Sequence, residues 1–262
     1  MLEGKVAVVM GGGQTPGETI GNGRATCIEF ARQGAKVAVV DHRLESAQET
    51  VDMLVAEGGV GKAYQCDVQK EDEVSAVIDG VIAEWQQIDI LHNNVGVSMA
   101  AGDALIEEID SEDFDRVVEI NLRGMVFACK HVLPHMRNRK SGVIINISSM
   151  AAWKNYPLVG YKTTKAAVIA LTEQLAAMNA RYGIRANVIL PGLMNTPMAV
   201  EARVAAGGDR ADVIAQRDRQ VPLGRKMGSA WDIAHAATFL ASDKAGYITG
   251  VSLPVDGGLS VT

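Results

Sequence analysis

The chain has 262 residues, 48% of them hydrophobic and 21% charged, with a formal net charge of −6. That length suits one large α/β domain able to bury most of its apolar surface, and the acidic balance excludes the clustered basic surface that nucleic-acid binding calls for. No apolar run reaches the roughly 18 residues of a membrane span.

The N-terminus, MLEGKVAVVM, lacks the layout of a signal peptide and enters a strand at once, over 5–10. Three scattered cysteines (Cys27, Cys66, Cys129) have neither disulfide nor zinc spacing, so a cytoplasmic protein with core thiols is expected. Six glycines follow within the thirteen positions from Gly11 to Gly23. Gly12 to Gly17 has the spacing of a Walker loop, but Glu18 stands where a triphosphate needs a cation, and no literal G-x-G-x-x-G occurs. The glycines join the first strand to a helix over 22–33, where a dinucleotide diphosphate can rest on the helix N-terminus against a closely approaching backbone.

The second strand, 35–41, ends in Asp41. An acidic side chain there accepts hydrogen bonds from adenosine ribose hydroxyls and repels a 2′-phosphate, which favours NAD over NADP, with Arg43 and His42 as a counter-signal. Asp41 as the N-cap of the next helix is the bland alternative. Further strands are predicted over 63–68, 88–94, 142–149, 184–192 and 250–255, and further helices over 43–57, 70–85, 110–137, 159–182 and 229–241. Near-continuous Val and Ile runs suit parallel strands buried on both faces, and this alternation predicts a doubly wound α/β sheet of about seven strands in a single domain, 1–262. Within it, YKTTK places Tyr161 and Lys165 one helical turn apart on the same face. A phenol is a poor base at neutral pH, and a neighbouring ammonium favours its ionised form, so the pair can move a proton at an alcohol oxygen. Ser149, at the end of a buried strand, can hold that oxygen; Ser148 is its rival.

Several motifs are dismissed. His131 and His135 have metal spacing, but Pro134 intervenes and no acidic ligand adjoins them, so no metal site is predicted. No G-x-S-x-G supports a serine hydrolase. A methyltransferase has no use for Tyr161, Lys165 and Ser149 together.

With these residues in place, the whole chain resembles the short-chain dehydrogenase/reductase family, in its form of about 250 residues. The resemblance rests on GNGRATCIEFARQGAKVAVVDHR, CDV, NNVG, NLRG, NISS with YKTTK, PGLMNTPM and YITGVSLPVDGG. It implies a Rossmann-like fold and a dinucleotide held by Gly11, Gly21, Asn22, Gly23, Asp41, Asp67, Val68, Asn94, Gly96, Pro191, Gly192, Met194 and Thr196, with Tyr161 and Lys165. It implies Tyr161 as general acid/base, Lys165 lowering its pKa and holding the nicotinamide ribose, Ser149 polarising the carbonyl and Asn121 serving a proton-relay water chain. The implied activity is hydride transfer between NAD(H) and a medium-sized secondary alcohol or ketone. The alternatives are NADPH-dependent reduction of a 3-oxoacyl thioester and a non-catalytic dinucleotide sensor, which would typically lose the Tyr or Lys. Enoyl reduction is disfavoured because its Tyr and Lys are more widely spaced.

The chain departs from the family pattern by six residues inserted in the glycine turn, Gln14 to Thr19. Pro16-Gly17 suits a type II turn, and such a flap would set Thr15 or Gln14 on the dinucleotide; a solvent bulge without a role is the alternative. Specificity is expected in 97–105, 150–158 and a mobile lid over about 194–226, with Met150, Trp153 and Tyr156 giving an apolar pocket wall. The run AAVIAL, Ala166 to Leu171, leaves no polar face on its helix and calls for a partner subunit, in line with the family's usual homotetramer.

Overall fold

In the computed structural model, which describes residues 1–262, the Val- and Ile-rich runs become strands β1 (Val6–Met10), β2 (Lys36–Asp41), β3 (Val60–Gln65), β4 (Ile90–Asn93), β5 (Gly142–Ile147), β6 (Ile184–Pro191) and β7 (Ser252–Val255). The helices are α1 (Asn22–Arg32), α2 (Leu44–Ala56), α3 (Glu71–Trp85), α4 (Ser111–Val118), α5 (Gly124–Arg139), α6 (Val159–Asn179), α7 (Pro197–Ala205), α8 (Arg210–Asp218) and α9 (Ala230–Ala241). All strands run parallel in the order β3-β2-β1-β4-β5-β6-β7, the doubly wound sheet expected from the alternation.

Alternation along each strand builds a core on each face. Ala7 and Val9 of β1, with Val37 and Val39 of β2, face Ile28 and Phe30 of α1, Leu54 of α2 and Leu240 of α9. Val6, Val8 and Met10 face the other way, towards Val77 and Ile78 of α3, Val132 of α5 and Leu175 of α6. Both faces of the central strands are therefore dry, which is why their sequences read as unbroken apolar runs.

The third strand lies three residues earlier than expected. AYQCDV has the more apolar look, but the ladder with β2 begins at Val60 and ends at Gln65. β3 is the sheet edge, half exposed, and mixes polar and apolar residues on both faces. The long helix expected over 110–137 is divided between α4 and α5 by a π-helical turn, Glu119–Arg123, and continues through Pro134 to Arg139. The segment 194–226 carries two short helices, α7 and α8, outside the sheet layers.

Strand order reverses between β1 and β4, and the crevice at their carboxyl ends is where an open α/β sheet receives a ligand. Gly11 follows β1 there and Asn94 follows β4.

Candidate active site

A cavity of about 1290 Å³ opens at this reversal, and it gathers almost every residue singled out above. Gly11, Thr15, Gly21, Asn22, Gly23, Asp41, Asp67, Val68, Asn94, Gly96, Ser149, Tyr161, Lys165, Pro191, Gly192, Met194 and Thr196 all line it. Asn121 does not.

One end is built by the glycine turn. Gly11 has φ +79°, and the N–H groups of Gly11 and Gly12 both donate to the Val40 carbonyl. Gly23 packs so closely on it that a Cβ there would lie 1.9 Å from the Gly11 carbonyl oxygen. Asn94 Nδ2 donates to that same oxygen at 3.0 Å, tying the end of β4 to the turn. Gly21 is the N-cap of α1, no side chain caps the helix, and the N–H groups of Asn22, Gly23 and Arg24 find no acceptor in the protein. An uncapped helix N-terminus facing a large cavity fits an anionic diphosphate. Asp41 stands beside it: its carboxylate accepts from Gly13 N–H at 3.1 Å and from Arg43 N–H at 3.1 Å. Four lone-pair sites leave it capacity for ribose hydroxyls. Asp41 does not cap α2, whose N-cap is Arg43. The Arg43 guanidinium is turned onto the Gln14 carbonyl, so this cation is engaged within the protein.

The inserted residues do not form the type II turn, because Gly17 lacks the positive φ that such a turn requires at its third residue. Gln14 is also not turned outward. Its amide accepts from Gly21 N–H at 2.9 Å and donates to the Thr19 carbonyl at 3.4 Å, closing the insert on itself. Gln14 and Thr15 both line the cavity, Gln14 half-buried and Thr15 exposed. Further out the insert meets α7 and α8: a Cβ on Gly17 would lie 2.9 Å from Pro197, and Glu18 pairs with Arg210 at 3.4 Å. Arg210 in turn pairs with Glu201. The insert is not a free bulge: it borders the cavity through Gln14, Thr15 and Pro16 and clasps the glycine turn to the 194–226 segment.

The other end holds Ser149, Tyr161 and Lys165. Lys165 is 2% exposed, and its Nζ donates to the Ile147 carbonyl at 2.9 Å, leaving two donors uncommitted. Burial pulls its pKa down to about 8. The Tyr161 phenol is pushed up to about 12 by burial, with the Ser149 hydroxyl beside it opposing that rise. The expected lowering of the phenol by the lysine is not found here. Lys165 Nζ lies 5.6 Å from the centre of the Tyr161 ring and is directed to the β5 carbonyl, and desolvation outweighs any attraction at that range. Both serines line the cavity, but Ser149 and not Ser148 has a hydroxyl proton to offer there. Ser148 is buried with its hydroxyl donated to the Lys165 carbonyl at 2.6 Å, whereas Ser149 Oγ accepts from Ala151 N–H at 3.1 Å and keeps its own proton free.

Asn121 sits at the π turn, fully buried, with Oδ1 accepting from Val97 N–H at 2.7 Å and Nδ2 donating to the Val97 carbonyl at 2.9 Å. Its side chain thus imitates a strand and fixes the segment after β4. Of the expected pocket wall, only Tyr156 is found on the cavity, its ring 5.5 Å from that of Tyr161. Met150 is buried in a core cluster with Val168 and Leu190, and Trp153 is 50% exposed away from the cavity. The serine-to-tyrosine segment folds Met150–Ala152 into a short 3₁₀ turn that carries Trp153 outward.

Sequence reasoning passes over three residues here. Asp103 accepts from Gly160 N–H and Tyr161 N–H, both at 2.8 Å, and so caps the helix that presents the phenol. It comes from a loop far away in the chain, and no local pattern announces it. Arg203 and Arg217, from α7 and α8, also line the cavity.

Comparison with known proteins agrees with this architecture. The family model described as enoyl-(acyl carrier protein) reductase matches residues 18–260. The chain is 36% identical to 3beta-hydroxysteroid dehydrogenase 1 of Eggerthella lenta, over 99% of this chain and 95% of that one. Among solved structures, one described as a short-chain dehydrogenase/reductase from Burkholderia xenovorans superposes with a TM-score of 0.93 at 36% identity, covering 100% of this chain and 98% of that one. NAD⁺-bound xylitol dehydrogenase follows with a TM-score of 0.88 at 34% identity, covering 98% and 99%. With its fold, its glycine turn and its Ser149, Tyr161 and Lys165 in one cavity, the chain belongs to the short-chain dehydrogenase/reductase family of oxidoreductases.

Proposed function

We propose that this enzyme interconverts a medium-sized secondary alcohol and its ketone with NAD(H). The observation that carries the reading is the joining, in one cavity, of an uncapped glycine turn at one end and Ser149, Tyr161 and Lys165 at the other. When bound, the nicotinamide dinucleotide supplies or accepts the hydride. Support for such a cofactor comes from the NAD⁺-bound relative above. Preference for NAD over NADP follows from Asp41, whose carboxylate would meet a 2′-phosphate, and from Arg43, whose guanidinium is engaged with the glycine turn.

The protein groups divide the remaining work. The first N–H groups of α1 would hold the diphosphate, Asp41 the adenosine ribose, Asp67 and Val68 the adenine side, and Met194 and Thr196 the carboxamide end. Lys165, with two free donors, would hold the nicotinamide ribose. Ser149 donates its hydroxyl proton to the substrate oxygen. Tyr161 gives that oxygen a proton in reduction and takes it back in oxidation. A phenol titrating near 12 keeps its proton at neutral pH and is ready to act as the acid; work as a base gains from a protonated Lys165 close by. Asn121 holds Val97 and the pocket floor in place and would support proton exit from there. The segment 194–226 serves as a lid over the substrate. A spacing of four between Tyr161 and Lys165 supports carbonyl chemistry over enoyl reduction, for which a wider spacing is expected. The half-exposed Ile169 and Leu171, with exposed Ala166 and Ala170, give α6 an outer apolar face that supports assembly into a homotetramer.

Following NADH and NADPH absorbance with a panel of secondary alcohols and ketones tests the reading. Turnover is expected with NAD(H) ahead of NADP(H), and Tyr161→Phe should lose it by orders of magnitude while still binding NADH. A purified Tyr161→Phe enzyme with near-normal turnover would refute the assignment.

A further inference from the structure

The substrate end of the cavity holds two arginines that the chemistry just described leaves unused. Arg203 of α7 and Arg217 of α8 are both half-buried and both line the cavity beside Tyr156 and Met198. Neither has a carboxylate partner. Arg203 donates one N–H to the Ala199 carbonyl of its own helix at 2.6 Å, and Arg217 gives Nε–H to the Met227 sulfur at 3.3 Å, a weak acceptor. The contrast lies in the same segment: Arg210, on the outside of α8, is held between Glu18 and Glu201.

Two cations sharing a partly desolvated wall without an ion-pair partner are costly, and a ligand anion offsets that cost. Burial first and the nearby Arg203 charge second bring the Arg217 guanidinium down to about 10, against the opposing pull of Asp218. Position ties this wall to the catalytic residues. Arg217 lies close to Tyr156, and Tyr156 packs on Tyr161.

Resting on the hydride-transfer reading, we infer that the substrate is an anion: a hydroxy or oxo compound whose carboxylate, sulfonate or phosphate group is bound by Arg203 and Arg217. Guanidinium groups suit such planar or tetrahedral oxyanions through paired N–H donors. The Tyr156 ring and Met198 then flank the carbon chain between that group and the reacting carbon.

The test uses 4-oxopentanoate and its neutral amide as probes of the enzyme loaded with NAD⁺, a combination in which neither ketone can be reduced. Calorimetry should show the acid binding about ten- to a hundredfold more tightly than the amide, the range of charge-assisted hydrogen bonds. That ratio should fall towards one in Arg217→Met, and Arg217→Lys should retain part of it. If Arg217→Met fails to fold, Arg203→Met reads the same ratio. Equal or weaker binding of the acid, undetectable binding included, overturns the inference. So does a preference that both methionine variants keep, or a loss that falls on NAD⁺ affinity instead. Failure of the hydride-transfer reading looks different: the acid is still preferred, yet no alcohol or ketone of the panel yields a change in NADH.

Discussion

Lys165 is expected to cost the free enzyme stability at neutral pH, and Lys165→Met measures how much. The ammonium is 2% exposed and rests on one carbonyl, and its pKa falls from an ordinary 10.5 to about 8, a gap of about 2.5 pH units. At about 1.36 kcal/mol per unit, the protonated lysine is disfavoured by about 3 kcal/mol in the fold relative to the unfolded chain. The sign follows from proton counting. Between pH 8 and 10.5 the unfolded chain binds the extra proton, so wild-type stability rises with pH across this window and the contribution is lost as pH falls through 8. Methionine, unbranched and uncharged, removes the dependence but leaves the Ile147 carbonyl without its donor, a loss of about 1–3 kcal/mol. At pH 7 the variant should therefore match or exceed wild type by up to about 2 kcal/mol. By pH 10.5 the order should have reversed, the difference having moved by about 3 kcal/mol. Denaturant unfolding of both proteins without dinucleotide, at pH 7 and pH 10, reads the change directly. A difference between wild type and variant that stays constant with pH would refute the reasoning.

Two other expectations concern parts of the molecule away from the chemistry. His92 of β4 is fully buried with neither ring nitrogen partnered, and desolvation lowers its pKa from 6.5 to about 3. The unfolded chain takes up its proton first, so stability is lost as pH falls from 6.5 towards 3, on the order of 5 kcal/mol in all; His92→Leu should move the acid-unfolding midpoint, followed by circular dichroism, to lower pH, and an unchanged midpoint would count against it. Removing residues 14–19 should weaken NADH binding, because Gln14 holds the Gly21 N–H, and should speed amide exchange in α7 and α8 by releasing Arg210. Exchange unchanged in both helices would show that the clasp carries no force.

What could be read from the chain depended on how local the determinant was. VAVVM and KVAVVD announce central strands because burial on both faces demands apolar residues throughout, whereas the half-exposed edge strand VGKAYQ mixes polar and apolar residues without a period and hides among polar neighbours. Tyr161 and Lys165 are legible because one helical turn joins them, and Ser149 because it ends a buried strand. Asp103 is not, since its partners Gly160 and Tyr161 lie in another element altogether. The helix RADVIAQRD falls within the expected lid, but only its docking over the cavity shows which arginine faces in, Arg217 lining the cavity while Arg210 is held by Glu18 and Glu201. Trp153 misleads in the opposite sense: an aromatic between Ser149 and Tyr161 invites a place in the pocket, but the 3₁₀ turn sends it to solvent.

The π turn at Glu119–Arg123 sets a rule of its own for this stretch. One residue more than an α-helical turn needs puts α4 and α5 out of angular phase by about 100°. Val117 before the turn and Met125, Ala128, Cys129, Val132 and Met136 after it are all buried, so each half is already phased to its own packing. Asn121 reaches Val97 only from the widened turn between them. Removing a single residue here would bring the halves into one phase and rotate either Asn121 off Val97 or the α5 row off the sheet. In this stretch the number of residues is constrained more tightly than their chemistry.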